Sequence, residues 1–317
     1  MKYFTGVDLG GTNTKIGILN ENGEILIKKS IKTLSEKGIV ITLKRIWQTI
    51  ESLMDKKNID KKNMCGIGIG IPGPVINQEI VGFFANFDWE VDINISKLME
   101  KISGIQTKLE NDVNMIAIGE SMFGAGKGSA SSITIALGTG IGGGIVINSK
   151  LISGINGAGG EIGHIKLVEN GKLCGCGQKG CFEAYASATG IVREARSRLA
   201  INKKNLLYDS LKGNIEKLEA KDVFDCAKSG DEFSIEIVNY VGNYLGMGIG
   251  NLLNTINPEI IILSGGVALS GEILLEVVKK KLKQYALPIT LKNLEIKLGE
   301  LGNDAGIKGG IALFLTQ

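Results

Sequence analysis

The chain has 317 residues, room for about two domains, and 44% of them are hydrophobic, a normal share for a protein with packed cores. Its 36 basic and 33 acidic side chains leave a formal charge of +3, which gives no electrostatic footprint for nucleic acid. No apolar run reaches membrane-spanning length and Met1 leads straight into a strand pattern, so the expectation is a cytoplasmic protein with no membrane partner.

Tyr3 to Leu9 is apolar and β-branched and predicts a strand. Gly10-Gly11-Thr12-Asn13 reads as a loop, Lys15 to Leu19 as a second strand, Asn20 to Gly23 as a turn and Glu24 to Lys28 as a third strand. Val40, Leu43, Ile46, Trp47, Ile50, Leu53 and Met54 recur at helical spacing. Gly66 to Ile71 is a strand stopped by Pro72-Gly73-Pro74, Ile105 to Leu109 is a short strand, and Asp112 to Phe123 a helix. Gly124 to Ser132 is rich in glycine, serine and lysine and resembles a hinge.

The opening pattern then returns about 130 residues further on, which implies two similar α/β halves. Ile133 to Leu137 is a strand, Gly138-Thr139-Gly140-Ile141-Gly142-Gly143-Gly144 the loop, and Ile145 to Asn148 the start of the next strand. Glu232 to Ile256 is one long apolar helix ended by Asn257-Pro258. Glu259 to Leu263 is a strand running into Ser264-Gly265-Gly266, and Asp304 to Leu315 a closing helix. With 45 glycines and 4 prolines, many glycines directly after apolar runs, the composition points to backbone approaching a ligand.

His164 is the only histidine, and three of the five cysteines, Cys174, Cys176 and Cys181, follow it closely. One imidazole and three thiolates make a closed tetrahedral zinc set. Three ordinary buried thiols are the plainer alternative, and they suit Cys65 and Cys226, each in an apolar run. Cys174 to Cys181 instead lies in a Gly/Lys/Gln-rich loop. Without a signal peptide, and with an odd number of clustered cysteines, a disulfide framework is disfavoured. Carboxylates frame the cluster at Glu161 and Glu183.

Each half also offers a strand running into a glycine-rich turn with a threonine, the kind of turn that presents backbone N–H groups to phosphate oxygens. Neither is a Walker A or a dinucleotide fingerprint. Two such turns in matching places, with Ser264-Gly265-Gly266 after a third strand, favour a nucleotide site. Asp8 is either a turn-forming aspartate or a holder of Mg2+ through water. Asp112 is either the N-cap of its helix or, beside ATP, the acceptor of a hydroxyl proton.

Together these elements resemble the ROK family of bacterial sugar kinases over essentially the whole chain. The resemblance rests on Asp8-Leu-Gly-Gly-Thr12, Asn111-Asp112, Leu137 to Gly144, Glu161-Ile-Gly-His164 and Cys174 to Glu183. It implies an α/β fold of the actin/hexokinase type, with two ribonuclease-H-like domains around a cleft. We expect a small domain of residues 1–115, joined by the closing helix at about 303–317, and a larger one of 116–302. It implies ATP, Mg2+ and structural Zn2+ as cofactors. Asp8, Gly10, Gly11, Thr12, Asn13 and Thr14, with Gly138, Thr139, Gly140, Gly142 and Gly143, would cradle the ATP phosphates. Gly265 and Gly266 would lie near the adenosine. Asp112 would be the general base. Asn86, Asn111, Glu161, His164 and Glu183 would bind the sugar, His164 also serving zinc with Cys174, Cys176 and Cys181. The implied activity is phosphorylation of a hexose at O6, most often glucose, with N-acetylmannosamine as the alternative substrate and a homodimer or higher homo-oligomer as the assembly. A non-catalytic sugar sensor and a zinc-stabilised nucleic-acid binder are the competing classes. The second lacks a basic face and a helix-turn-helix.

Overall fold

The structure, a computed structural model, describes residues 1–84 and 87–315. In chain order it opens with β1 (Tyr3–Leu9), β2 (Asn13–Asn20), β3 (Ile25–Lys32), α1 (Ile39–Lys56) and β4 (Met64–Ile71). Short strands β5 (Val75–Ile76), β6 (Ile80–Val81) and β7 (Ile93–Asn94) precede α2 (Ile95–Ser103), β8 (Thr107–Asn111) and α3 (Asp112–Phe123). Then come β9 (Ser132–Leu137), β10 (Ile141–Ile147), β11 (Lys150–Leu151), α4 (Glu183–Ala186), α5 (Ala188–Leu199), α6 (Leu206–Ser210) and α7 (Ala220–Lys228). The chain closes with α8 (Glu232–Ile256), β12 (Ile260–Ser264), α9 (Glu272–Leu282), β13 (Glu295–Leu298) and α10 (Ala305–Leu315). No helix among the described residues is long and apolar enough to cross a membrane.

The expected α/β class holds, and so does the internal repeat. One five-stranded sheet has the order β3-β2-β1-β4-β8, the other β11-β10-β9-β12-β13. In each, the first strand of the half lies beside the second and pairs in parallel with the fourth, β1 with β4 and β9 with β12. The division into compact units differs from the sequence expectation. The first unit takes residues 1–131, 144–160 and 300–317, and the second 132–143 and 161–299. Residues 116–131 therefore belong with the first unit, because α3 packs along α10 through Met115, Ile118, Ala312 and Leu313.

In the first unit the strand period of two sorts side chains to opposite faces. Val7, Leu9, Ile67, Ile69 and Leu109 pack with Leu43, Ile46, Ile50 and Leu53 of α1. The opposite face of β4 is glycine: Gly66-Ile67-Gly68-Ile69-Gly70-Ile71 turns isoleucines toward α1, Gly66 and Gly68 toward α10 and Gly70 toward α3. A Cβ at Gly6 would sit 1.9 Å from the Ile307 carbonyl oxygen, and one at Gly68 2.2 Å from that of Gly310. Much of the glycine excess thus serves helix-on-sheet contact, a use different from the ligand approach expected of it.

The hinge-like stretch after α3 is tied down within the first unit. Glu120, fully buried, accepts from the backbone N–H of Ala125 at 3.0 Å, Glu300 at 3.1 Å and Leu301 at 2.9 Å. In the second unit α8 spans the predicted residues and packs on α7 and α9. Cys226 is buried as expected, whereas Cys65 is half-buried.

Candidate functional site

In the first unit the turn between β1 and β2 is closed by the Gly10 N–H donating to the Asn13 carbonyl at 3.2 Å. Gly11, Thr12 and Asn13 are exposed at its tip. Thr14 is not part of that tip. It is fully buried, paired with Leu9 across the hairpin, and its hydroxyl lies 3.0 Å from that of Thr33. The Thr33 hydroxyl donates to the Gly10 carbonyl at 2.6 Å, so Thr14 donates to Thr33 and the pair supports the turn from below. Asp8 stands near the end of β1, half-buried, with the Lys15 ammonium 3.3 Å away across the hairpin.

At the start of α3 the two readings of Asp112 separate. The helix is capped by Asn111, whose Oδ1 accepts from the Val113 N–H at 2.9 Å and the Asn114 N–H at 3.2 Å. Its Nδ2 donates to the Gly73 carbonyl at 3.2 Å, which leaves one amide proton for a ligand. Asp112 is the first helical residue, with Oδ1 accepting from Val113 N–H at 2.9 Å. The helix therefore does not depend on Asp112 for its cap.

Sequence reasoning passed over the neighbour of this pair. Glu110 is 1% exposed. Its Oε1 accepts from the Asn111 N–H and the Asn114 amide, each at 3.0 Å, and its Oε2 from the Ser153 hydroxyl at 3.0 Å. Burial raises its carboxyl above the ordinary value, and those three donors partly offset the rise. Glu110 locks the Asn111-Asp112 segment to the loop that leads toward Glu161. Glu110 falls just past the predicted strand Ile105 to Leu109, and its burial carried no sequence signal. Asn86 lies outside the described residues.

In the second unit the glycine turn is shorter than expected. Only Gly138, Thr139 and Gly140 form it, with the Gly138 N–H donating to the Gly140 carbonyl at 3.0 Å. Gly142, Gly143 and Gly144 already belong to β10, and the last two are buried. The turn docks on α5: the Ala188 N–H donates to the Gly138 carbonyl at 2.9 Å and the Thr189 hydroxyl to the Thr139 carbonyl at 2.8 Å. Gly265 has φ +85° and sits so near Leu137 that a Cβ would come within 2.6 Å of its carbonyl oxygen. Between these turns, wholly within the second unit, lies a cavity of about 870 Å3. Gly138, Thr139 and Gly266 line it together with the apolar Leu218, Phe224 and Leu269. A cavity of this volume, with apolar side chains on its wall and glycine turns at its rim, has the size and chemistry to accept a planar base and phosphate oxygens.

The cysteine cluster is assembled. The ligand atoms of His164, Cys174, Cys176 and Cys181 all lie within 4.8 Å of one another. The Sγ atoms of Cys176 and Cys181 are 3.7 Å apart, and Cys174 Sγ is 3.8 Å from His164 Nδ1. A disulfide needs about 2.05 Å. A tetrahedron with Zn–S bonds of about 2.3 Å has edges of about 3.8 Å, so this donor set and spacing fit zinc. The loop folds as a small ribbon. Leu173 bridges Lys179, Cys174 N–H donates to the Gln178 carbonyl at 2.8 Å, and Gly177 takes φ +83° at the turn. Without a cation, burial pushes the Cys174 thiol up to about 12.

The knuckle packs on Tyr185, Tyr240 and Tyr244. It continues into Glu183, whose Oε2 accepts from the Ile141 N–H at 2.9 Å while Oε1 lies 3.5 Å from Cys174 Sγ. Glu183 thus ties the knuckle to the glycine turn. His164 turns Nδ1 to the sulfur and Nε2 toward Glu161, 3.9 Å away.

The ROK family profile matches residues 4–317. The chain belongs to the ROK family. It is 38% identical over 312 residues to a glucokinase of Halalkalibacterium halodurans, covering 98% of this chain and 94% of that one. It is also 38% identical over 310 residues to a glucokinase of Thermotoga maritima, covering 97% and 96%. Among solved structures, a ROK family glucokinase from Streptomyces griseus in complex with glucose and AMPPNP superposes with a TM-score of 0.80 at 32% identity, covering 99% of each chain.

Proposed function

We propose that this ROK protein transfers the γ-phosphoryl group of ATP to O6 of glucose. The observation that carries the reading is the link from the His164, Cys174, Cys176, Cys181 cluster through Glu183 to the glycine turn bordering the 870 Å3 cavity. It joins a sugar-binding device and a nucleotide-binding device in one unit. The glucokinases at 38% identity, and the relative crystallised with glucose and an ATP analogue, support the same reading.

In this reading the cavity takes the adenosine beside Gly265 and Gly266. The turns at Gly10 to Asn13 and Gly138 to Gly140 hold phosphate oxygens, and Asp8 would hold the Mg2+ that neutralises phosphate charge. Asn86, Asn111, Glu161, Glu183 and the Nε2 edge of His164 bind sugar hydroxyls. Asp112 accepts the O6 proton as the O6–P bond forms and the bond to the β-phosphate oxygen breaks, releasing ADP. His164, Cys174, Cys176 and Cys181 would hold a zinc ion with four protein ligands, so its contribution would be rigidity alone. Held in this way, His164 would keep one tautomer and the chain would run in a fixed course into Glu183. ATP as donor and unpaired thiols both suit a cytoplasmic enzyme.

A coupled ADP-release screen with glucose, N-acetylmannosamine, N-acetylglucosamine, mannose, fructose and allose tests the proposal. Glucose should give the highest kcat/KM. N-acetylmannosamine clearly ahead would move the substrate. No ADP with any hexose would leave a non-catalytic sugar sensor.

A further inference from the structure

Directly opposite the buried ligand Cys181, on the neighbouring segment of the knuckle, stands Lys166. The two residues form an antiparallel bridge. It is flanked by hydrogen bonds from the Leu167 N–H to the Gly180 carbonyl and from the Phe182 N–H to the Ile165 carbonyl, both 2.8 Å. Opposed residues put their side chains on one face about 5 Å apart, so the pairing is set by backbone register. The Lys166 ammonium reaches 2.8 Å from Cys181 Sγ. Cys181 is fully buried, so water cannot solvate its sulfur.

Three thiolates and a neutral imidazole around Zn2+ leave the site one negative charge in excess. A buried excess charge is costly unless it is paired and hydrogen-bonded. We propose that Lys166 supplies that pairing: its ammonium donates to the Cys181 thiolate, neutralises the site as a whole and retards loss of the metal. The inference rests on the zinc reading above and goes beyond it, since it assigns a metal-retention role to a residue outside the ligand set. In composition Lys166 is one of many surface lysines, and only the register singles it out.

The test uses the full-length zinc-loaded protein, with Lys166→Met to keep the aliphatic stem and lose the charge, and Lys166→Arg to restore a cationic donor. Zinc per chain is measured first. Zinc transfer to a chromogenic chelator is then followed in time. Outer-shell partners of metal ligands are worth about 10–100-fold in metal retention, so Lys166→Met should release zinc about 10-fold faster or more, and Lys166→Arg should stay near wild type. A second readout is the sulfur-to-metal charge-transfer band of the Co2+-substituted protein. It should move to lower energy in Lys166→Met, because a thiolate without its donor holds its electrons less tightly. A merely structural lysine would not move that band. Zinc-bearing wild type with an unchanged release rate and band in Lys166→Met overturns the role of Lys166 while leaving the zinc reading intact. Release from Lys166→Arg as fast as from Lys166→Met overturns it too. Wild type purified active without zinc overturns both.

Discussion

Asp112→Asn should separate catalysis from folding. In the structure the cap of α3 belongs to Asn111, with two backbone N–H groups at 2.9 and 3.2 Å. An asparagine at position 112 keeps a carbonyl oxygen for the Val113 N–H that Asp112 Oδ1 accepts at 2.9 Å. What the variant loses is one negative charge in the first turn, worth about 0.3–1 kcal/mol against the helix dipole. With an unfolding entropy of about 2 cal/mol/K per residue, a chain of this length should lose only about 0.5–1.5 °C in Tm. Turnover should fall far more. An amide cannot take the O6 proton, and losing a general base costs about 10²–10⁴ in rate. Asn111→Ala makes the counter-experiment, because it removes the cap itself and should cost about 1 kcal/mol. The assays are steady-state ADP release and thermal denaturation of both variants beside wild type. Near-wild-type kcat in Asp112→Asn would refute the base assignment. A Tm loss larger than that of Asn111→Ala would refute the division of labour between the two residues.

Three further outcomes follow from the same geometry. Cys176→Ala should lose zinc, raise the sugar KM or lower kcat, and bind an ATP analogue almost normally; equal damage to both substrates in calorimetry would count against the knuckle as a sugar-side device. Burial holds the Glu110 proton to higher pH in the folded chain than in the unfolded one. The contribution of this group is therefore full below the ordinary carboxylate pKa and declines as pH rises through the raised folded value. The Tm of Glu110→Gln, which stays neutral, should accordingly gain on wild type as pH rises through that window, and a Tm difference independent of pH would refute this. Gly68→Ala would place a Cβ 2.2–2.6 Å from the Gly310 backbone, which cannot yield as a side chain can. It should cost about 3 kcal/mol, the upper end for overpacking, and an unchanged Tm would show that α10 does not press on β4.

How much of this was legible depended on whether a signal was local. The β1–β2 hairpin, α1, α3 and α8 were readable because period and stop signals lie within each segment. Strands β5, β6 and β7 are two residues each and carry no period to read. Helices α5, α7 and α9 were left unassigned although their buried residues recur at helical spacing, Val223, Phe224 and Ala227 in α7 and Leu274, Leu275, Val278 and Leu282 in α9. The glycines misled in a specific way. Gly142, Gly143 and Gly144 read as loop, yet they lie in β10, where a Cβ at Gly144 would come within 2.2 Å of Ala117 of α3. The unit boundary shifted for a related reason: the contact between α3 and α10 joins segments nearly two hundred residues apart, and no local pattern announces it.

The site divided along the same line. The His164, Cys174, Cys176 and Cys181 cluster was legible because four rare side chains with one shared preference fall within eighteen positions, and the structure brings their ligand atoms within 4.8 Å of one another. Asn111 and Asp112 were legible as a pair but not in their division of labour, since both residues cap helices and the backbone alone decides which one does. Thr14 was placed with the phosphate turn on proximity, and strand alternation turned it inward to Thr33. Glu110 and Lys166 escaped for opposite reasons. Burial makes Glu110 consequential, and burial of a single carboxylate is invisible in sequence. Register makes Lys166 consequential, and the bridge to Cys181 spans fifteen positions of irregular chain. Both act on a recognised group through a partner, Glu110 through the backbone of Asn111 and Lys166 through a metal ligand. Motifs record residues that touch substrate or metal; the residues that hold those in place are recorded only by the fold.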